Sequence, residues 1–226
     1  MKIFIPASNK YLHLLKGYSI LFNKYWKNQQ VVVLCYDKPK DELPNNFEIV
    51  SLGEERGKYW TNGMIPFFTS LEDEYFVFTI EDHFLIKSVD VAKVEKLEEM
   101  VKKGIADKAM LHSHLNAKHG EDYGNGFIKL RQDGEYRTTI HPAIWRRDYL
   151  LRYLKPNYTI WDFEVKNMPE SKRDGATILA LKMPNPNTNL IFDCANIYRN
   201  DEVQDHEIAR ASLKDRKIIM DAINNA

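Results

Sequence analysis

Two uninterrupted apolar runs restrict the fold of this chain more than any other feature. They are VVVLCY at 31–36 and YFVFTI at 75–80, and in neither do apolar and polar side chains alternate. A strand with one face in water alternates, whereas a strand covered on both faces is apolar throughout. The runs therefore predict two central, mutually close strands of one sheet.

Helical periodicity separates these runs. Apolar residues recur at steps of three and four over 10–25 and 60–71, and again from Asp90, which we expect to cap a helix that Gly104 ends. Strands and helices that alternate in this way predict an α/β fold with a mostly parallel central sheet and helices on both faces. With 226 residues and 44% hydrophobic content, the chain can bury the core of one domain.

The second half is less regular along the sequence. Its patterns predict strands at 124–131 and 135–140 around an Asp133-Gly134 turn, a helix over 142–154, strands at 177–181 and 190–194, and a closing helix over about 204–223.

Charge and cysteine content argue against several classes of protein. Lys+Arg and Asp+Glu both number 32, so the basic excess typical of nucleic-acid binding is missing. Cys35 and Cys194 lie beside apolar runs, as buried thiols of a reducing compartment do. No run approaches the roughly 20 apolar residues of a membrane helix. We therefore expect a cytoplasmic protein with no transmembrane segment and no nucleic-acid partner.

Three polar residues, Glu81, Asp82 and His83, follow the second apolar run directly. Ligands of open α/β sheets bind beyond the carboxyl ends of the strands. Carboxylates at such a place can hold Mg²⁺ or Mn²⁺, which bridges a diphosphate and neutralises the charge of a leaving phosphate. The alternative is that the two acids only form a turn, for which aspartate is an ordinary residue.

Two segments carry a resemblance to a known family. DEYFVFTIEDHFLIKSVD resembles the region of GT-A-type glycosyltransferases that contains an Asp-x-Asp-like motif, although His83 replaces the last carboxylate. TIHPAIWRRDYLLRYLKPNYTIWDFE looks like the acceptor-side pattern of small bacterial and phage glycosyltransferases. The resemblance covers roughly 75–164 and implies one GT-A-like (Rossmann-like) domain over 1–226. Residues 1–110 would form the donor half and residues 111–226 the acceptor half.

The resemblance implies a nucleotide-sugar donor of UDP or GDP type. Asp37 would accept a hydrogen bond from the base or ribose, or else is a turn residue, and Arg56 would pair with the diphosphate. No GxGxxG, no P-loop and no Gly-rich N-terminal signature of sugar nucleotidyltransferases is present. The expected donor-binding residues are Pro6, Ala7, Ser8, Asp37, Arg56, Glu81 and Asp82, and the expected ligands of Mn²⁺ or Mg²⁺ are Asp82 and His83.

The acceptor half offers carboxylates for general-base catalysis. We expect Glu164 to take the proton of the acceptor hydroxyl, with Asp162 as the second candidate. Trp161 lies three residues before Glu164, on the same face of a helix, where it can cover an apolar sugar face. The alternative is that Trp161 and Phe163 are core residues and Glu164 a surface acid.

Histidines form a further group in this half. His112 and His114 are expected to line the acceptor site, and together with His119 they could instead bind zinc.

The sequence thus predicts a glycosyltransferase that moves a sugar from a nucleotide sugar to a glycan or another hydroxyl acceptor. Inversion is expected because no dedicated nucleophile is visible, and Glu164 should then lie at the same cleft as Asp82. Two alternatives are a non-catalytic carbohydrate- or nucleotide-binding module and a histidine-metal hydrolase.

Overall fold

The computed structural model describes residues 1–54, 59–112, 120–182, 190–199 and 201–225. Its strands are β1 (Ile3–Pro6), β2 (Val31–Cys35), β3 (Phe47–Ser51), β4 (Tyr75–Phe78), β5 (His83–Leu85), β6 (Lys108–Met110), β7 (Gly120–Gly124), β8 (Phe127–Leu130), β9 (Ala143–Arg146), β10 (Ile178–Leu181), β11 (Cys194–Asn196), β12 (Tyr198–Arg199) and β13 (Glu202–Val203). A 3-10 helix (Asn9–Leu14) precedes the α-helices α1 (Leu15–Tyr25), α2 (Thr61–Ser70), α3 (Val91–Lys102), α4 (Arg147–Tyr153), α5 (Ile160–Lys166), α6 (Met168–Ser171), α7 (Asp205–Ile208) and α8 (Leu213–Asn224).

These elements confirm the α/β fold that the sequence predicts. The chain divides into two compact units. The first consists of Met1–Ser51, Thr79–Asp90 and Phe192–Ala226, and the second of Leu52–Phe78 and Val91–Ile191.

Parallel strands form the centre of the first unit. β2 pairs in parallel with β1 on one side and with β3 on the other, and every residue of β1 and β2 is buried. Thr79 N donates to Phe4 O at 3.2 Å, so the apolar run at 75–80 ends beside β1. The sequence prediction that both apolar runs belong to the middle of the fold is therefore correct.

Helices α1 and α8 pack closely in the same unit. A Cβ at Gly17 would lie only 2.7 Å from the Cβ of Ala222, so glycine is required at this approach. Buried Asp215 in the first turn of α8 accepts from Lys24 Nζ at 2.6 Å and from Tyr25 Oη at 2.5 Å, which ties the end of α1 to the start of α8.

Strands of mixed direction form the second unit, in the order β4-β9-β6-β10-β8-β7. Only β6 and β10 pair in parallel there, and the other neighbours are antiparallel. The strand predicted at 124–131 is divided between β7 and β8, because Asn125 and Gly126 adopt positive φ and form a hairpin turn.

The predicted helix over 142–154 is wrong in its first part. Ala143–Arg146 form β9, which lies between β4 and β6, and the helix begins only at Arg147. A short apolar stretch fits a buried strand as well as a helix, and periodicity alone does not separate the two.

The strand predicted at 135–140 does not form, because a buried side chain organises this segment instead. Arg137 Nε donates to Ser171 O at 2.8 Å, and its terminal nitrogens donate to Arg131 O at 2.9 Å and Ala176 O at 2.8 Å. Tyr136 has a φ of 53°, which an extended strand does not permit.

The remaining differences concern element ends. The predicted strand at 190–194 occurs as β11 at Cys194–Asn196, and the closing helix is divided into α7 and α8 by a break before Ser212, which caps α8. None of the helices in the described ranges has the length and apolar character that a membrane span requires.

We expect Asp174→Asn to lower the free energy of unfolding by about 3–5 kcal/mol, the usual cost of breaking a buried ion pair. Asp174 Oδ1 lies 3.3 Å from Nη2 of buried Arg137, and the other oxygen accepts from Tyr149 and Tyr153. Urea unfolding measures the loss. Exposed Asp133, which pairs with Arg131, supplies the control, and Asp133→Asn should leave the midpoint unchanged. Equal midpoints for the two variants would contradict the prediction.

Candidate functional site

The end of β1 and the acidic turn after the apolar run meet in the first unit. Pro6 and Ala7 are buried, and the exposed Ser8 donates its backbone N–H to Glu81 Oε1 at 3.0 Å. Four of the predicted donor-binding residues are therefore adjacent. They lie together because Thr79 N donates to Phe4 O, which places the end of the apolar run beside the end of β1.

Burial dominates the electrostatics of the acidic turn. Glu81 is only 7% exposed, and its burial raises the pKa of its carboxyl to about 7. Burial, and then the charge of Glu81, raises the pKa of Asp82 well above its ordinary value. Two adjacent, desolvated carboxylates repel each other, and a cation that lies between them would relieve that repulsion. Carboxyl groups with pKa values raised in this way mark a functional-site candidate.

A strand from the C-terminal segment also reaches Asp82. β11 pairs antiparallel with β5, with Asn196 opposite His83, and Ile197 N donates to Asp82 O at 3.0 Å. With its amide nitrogen facing the carboxylate, Asn196 lies 3.3 Å from Asp82 Oδ2. Sequence reasoning missed this neighbour, because no motif connects positions so far apart in the chain.

Glu81 and Asp82 suit a divalent cation whose other ligands come from substrate phosphates and water. Among the described residues, no three His, Cys, Asp or Glu side chains gather around a common point as a metal cage would require. Buried His83 has its Nε2 4.0 Å from Asp82 Oδ1, and its role as a metal ligand stays a prediction. Glu81 and Asp82 still supply two carboxylates, and Mg²⁺ is commonly held by one or two carboxylates together with substrate phosphates and water.

The other predicted donor residues differ in their surroundings. Asp37 is exposed, its Oδ2 accepts from Asn9 Nδ2 at 2.8 Å, and its backbone N–H donates to Asn9 Oδ1 at 3.0 Å. This reciprocal pair gives Asp37 a role in the turn and leaves its contact with a base or ribose as a prediction. Arg56 lies outside the described residues.

The hairpin of β12 and β13 contacts the segment that follows β1. Asp201, between β12 and β13, accepts from Tyr11 Oη at 2.5 Å and Lys10 Nζ at 2.6 Å. The rings of Tyr11 and Tyr198 lie 4.9 Å apart. These contacts attach the hairpin to the segment that follows Ser8.

In the second unit, helix α5 carries the predicted acceptor residues. Thr159 caps the helix by accepting from Asp162 N, and Asp162 accepts in return from Thr159 N at 3.0 Å. Lys166 Nζ, 2.8 Å from Asp162, and this capping box lower the pKa of Asp162 to about 2. A carboxylate with so low a pKa is a weak base, so Asp162 would take a proton from an acceptor hydroxyl poorly. Its contacts instead stabilise the start of the helix.

Glu164 has a different environment. Its Oε1 accepts from Thr139 Oγ1 at 2.8 Å and from Ile140 N at 2.8 Å, so one carboxylate oxygen is held firmly. Trp161 on the same helix is 50% exposed, whereas Phe163 is fully buried. Trp161 is therefore not a core residue, and its indole is available to a ligand.

The histidines of the second unit are partly described. His112 is buried after β6, and its ring stacks on His141 with 5.6 Å between centroids. His114 and His119 lie outside the described residues, so the zinc-site alternative stays a prediction. Sequence reasoning missed His141 because the stacking depends on how β6 and β9 pair.

The similarity of this chain to known proteins lies in its fold. No family model matches the chain, and no curated protein matches it. A solved cytidylyltransferase from Leptospira borgpetersenii serovar Hardjo-bovis aligns with a TM-score of 0.52 and 10% identity, over 99% of this chain and 92% of that chain. A UDP-glucose pyrophosphorylase complexed with UDP-glucose aligns with a TM-score of 0.52 and 12% identity, over 100% of this chain and 99% of that chain. At such identities the similarity shows a shared fold.

Proposed function

We propose that the protein is a glycosyltransferase that moves a sugar from a UDP- or GDP-type nucleotide sugar to a hydroxyl of a glycan or a similar acceptor. The observation that carries this proposal is the acidic pair of buried Glu81 and partly buried Asp82, which lies beside Ser8 at the carboxyl end of β1. The fold neighbour that holds UDP-glucose supports a nucleotide sugar as the ligand.

On the donor side, Ser8 and a cation held by the acidic pair would bind the diphosphate end of the nucleotide sugar. The backbone N–H of Ser8 orients Glu81, and Asn196 and Ile197 hold Asp82. A Mn²⁺ or Mg²⁺ ion bound by Glu81 and Asp82, when present, would neutralise the charge of the departing diphosphate. His83 lies next to Asp82 on β5, with its Nε2 4.0 Å from Asp82 Oδ1, and would be a further ligand of the ion.

On the acceptor side, Glu164 would take the proton of the attacking hydroxyl. Its Oε1 is fixed by two donors, so the carboxylate is already oriented before an acceptor binds. The exposed indole of Trp161 would cover an apolar sugar face. The expected result is inversion at the transferred carbon.

A second candidate is nucleotidyl transfer, because both fold neighbours are named as enzymes of that kind. The segment after β1 argues against it. That segment, ASNKYLHLLK, contains no glycine before Gly17 and opens into a 3-10 helix. Triphosphates are usually cradled by backbone N–H groups of a Gly-rich loop.

Thermal unfolding with a panel of nucleotides tests the proposal. With Mn²⁺ present, UDP or GDP or one of their sugars at 100 times its Kd should raise the Tm by about 5–10 °C, since such binding adds about 2.7 kcal/mol. The matching nucleoside monophosphate is the control, and it should stabilise much less. Stabilisation by triphosphates alone would favour nucleotidyl transfer, and no stabilisation by any nucleotide would refute both functions.

A further inference from the structure

Lys108 is a buried lysine, and stability alone does not explain its position. It lies on β6 with 0% of its surface exposed, and burial lowers the pKa of its amine well below the ordinary value. Among the described residues the nearby negative charge of Glu164 raises the pKa of this amine and only partly offsets the effect of burial. Burial of an amine without a paired acid is costly, so such a residue calls for a role beyond packing.

The amine of Lys108 hydrogen-bonds with a single segment. Its Nζ donates to Thr139 O at 2.6 Å and to Arg137 O at 3.1 Å, and it lies 3.9 Å from the centroid of the Trp145 ring. The predicted strand at 135–140 does not form, so these carbonyls lack ladder partners and depend on side chains. Lys108 therefore determines where the peptide of Thr139 lies.

The opposite side of that peptide holds Glu164. Thr139 Oγ1 and Ile140 N both donate to Glu164 Oε1, each at 2.8 Å. Nothing in the described part of the chain donates a hydrogen bond to Oε2. A continuous series of contacts thus runs from Lys108 through Thr139 to one oxygen of Glu164, and it leaves the other oxygen for a ligand.

We propose that Lys108 and Thr139 are positioning residues for the Glu164 carboxylate, an inference that rests on the proposed function. Lys108 holds the Thr139 carbonyl, and this contact orients the Thr139 hydroxyl and the Ile140 N–H toward Oε1. With Oε1 fixed, Oε2 keeps a constant direction toward the acceptor hydroxyl. A base that rotates freely would spend part of its time in unproductive orientations, so the effect belongs to turnover and not to donor affinity.

Neighbouring threonines provide a matched test. Thr138 and Thr139 are both buried, but Thr138 Oγ1 lies 3.5 Å from the main-chain oxygen of Glu164, whereas Thr139 Oγ1 contacts the carboxylate. Each is replaced by valine, which keeps the shape and removes the hydroxyl. Turnover is measured as release of UDP from UDP-glucose, or of GDP from GDP-mannose, with methyl glycosides as acceptors.

Thr139→Val should lower kcat about 10-fold, the loss typical of one hydrogen bond to a charged group, with the KM for the donor unchanged. Thr139→Ser should have a kcat within about two-fold of the wild type, because it keeps the hydroxyl. The kcat of Thr138→Val should also lie within about two-fold of the wild type. Lys108→Met should also lower kcat with the donor KM unchanged. In a Glu164→Gln background, neither Thr139→Val nor Lys108→Met should reduce the residual turnover further.

The outcomes separate this inference from the proposed function. If Thr139→Val matches Thr138→Val while Glu164→Gln still loses turnover, the positioning role is wrong and the proposed function stands. If Glu164→Gln retains full turnover, the base and its positioning residues are both wrong. Absence of nucleotide release from both nucleotide sugars overturns the proposed function and this inference together. Should Lys108→Met fail to fold, the threonine variants decide the matter.

Discussion

Glu164→Gln should lower turnover by about 10²–10⁴-fold, the range expected when a general base is lost. Glutamine keeps the size of the side chain and can still accept from Thr139 and Ile140 through its amide oxygen. It cannot take a proton from the acceptor hydroxyl. The Kd for the nucleotide diphosphate should stay near that of the wild type, because Glu164 is assigned to the acceptor. Steady-state kinetics and calorimetry measure the two quantities.

Asp162→Asn is the matched control for this variant, since Asp162 lies on the same helix two residues earlier. Its carboxylate serves the capping box and the pair with Lys166, so asparagine there should affect the helix and leave kcat nearly unchanged. The opposite pattern, with full turnover in Glu164→Gln and lost turnover in Asp162→Asn, would assign the base to Asp162. Unchanged turnover in both variants would exclude this mechanism.

Asp82→Asn should weaken Mn²⁺-dependent binding of UDP or GDP by at least about 100-fold. Loss of an outer partner of a metal site already costs about 10–100-fold in affinity, and Asp82 is assigned as a direct ligand. The fold should survive, because asparagine matches the neutral form that the raised pKa of this partly buried carboxyl favours. Isothermal calorimetry with and without Mn²⁺ measures the change, and circular dichroism verifies the fold.

Asp41→Asn is a suitable control in the same unit. Asp41 is partly exposed and pairs with Lys16 at 3.1 Å. No role in nucleotide binding is assigned to it, so its variant should bind nucleotide as the wild type does. Equal affinity and equal metal dependence in Asp82→Asn and wild type would remove the acidic pair from the donor site. The proposed function would then lose the observation that carries it.

Several features of the fold were predictable because they depend on local composition. VVVLC forms a buried central strand, and YFVFTI ends beside β1, because a run without polar side chains is stable only where both faces are covered. The position of the acidic residues beside the end of β1 was predictable as well. They follow the strand directly, and parallel strands bring their carboxyl ends to one edge.

Long-range contacts decided what the sequence pattern left open. AIWR at 143–146 suits a helix as well as a strand, and it became β9 because β4 and β6 offer backbone partners on both sides. In the same way, Asn196 reaches Asp82 only because β11 pairs with β5. Lys108 is the clearest case. Its sequence context, DKAML, is an ordinary strand pattern, yet its amine is buried and holds the segment that orients Glu164. Hydrogen bonds between residues distant in the chain depend on strand order and register, and no local periodicity encodes these.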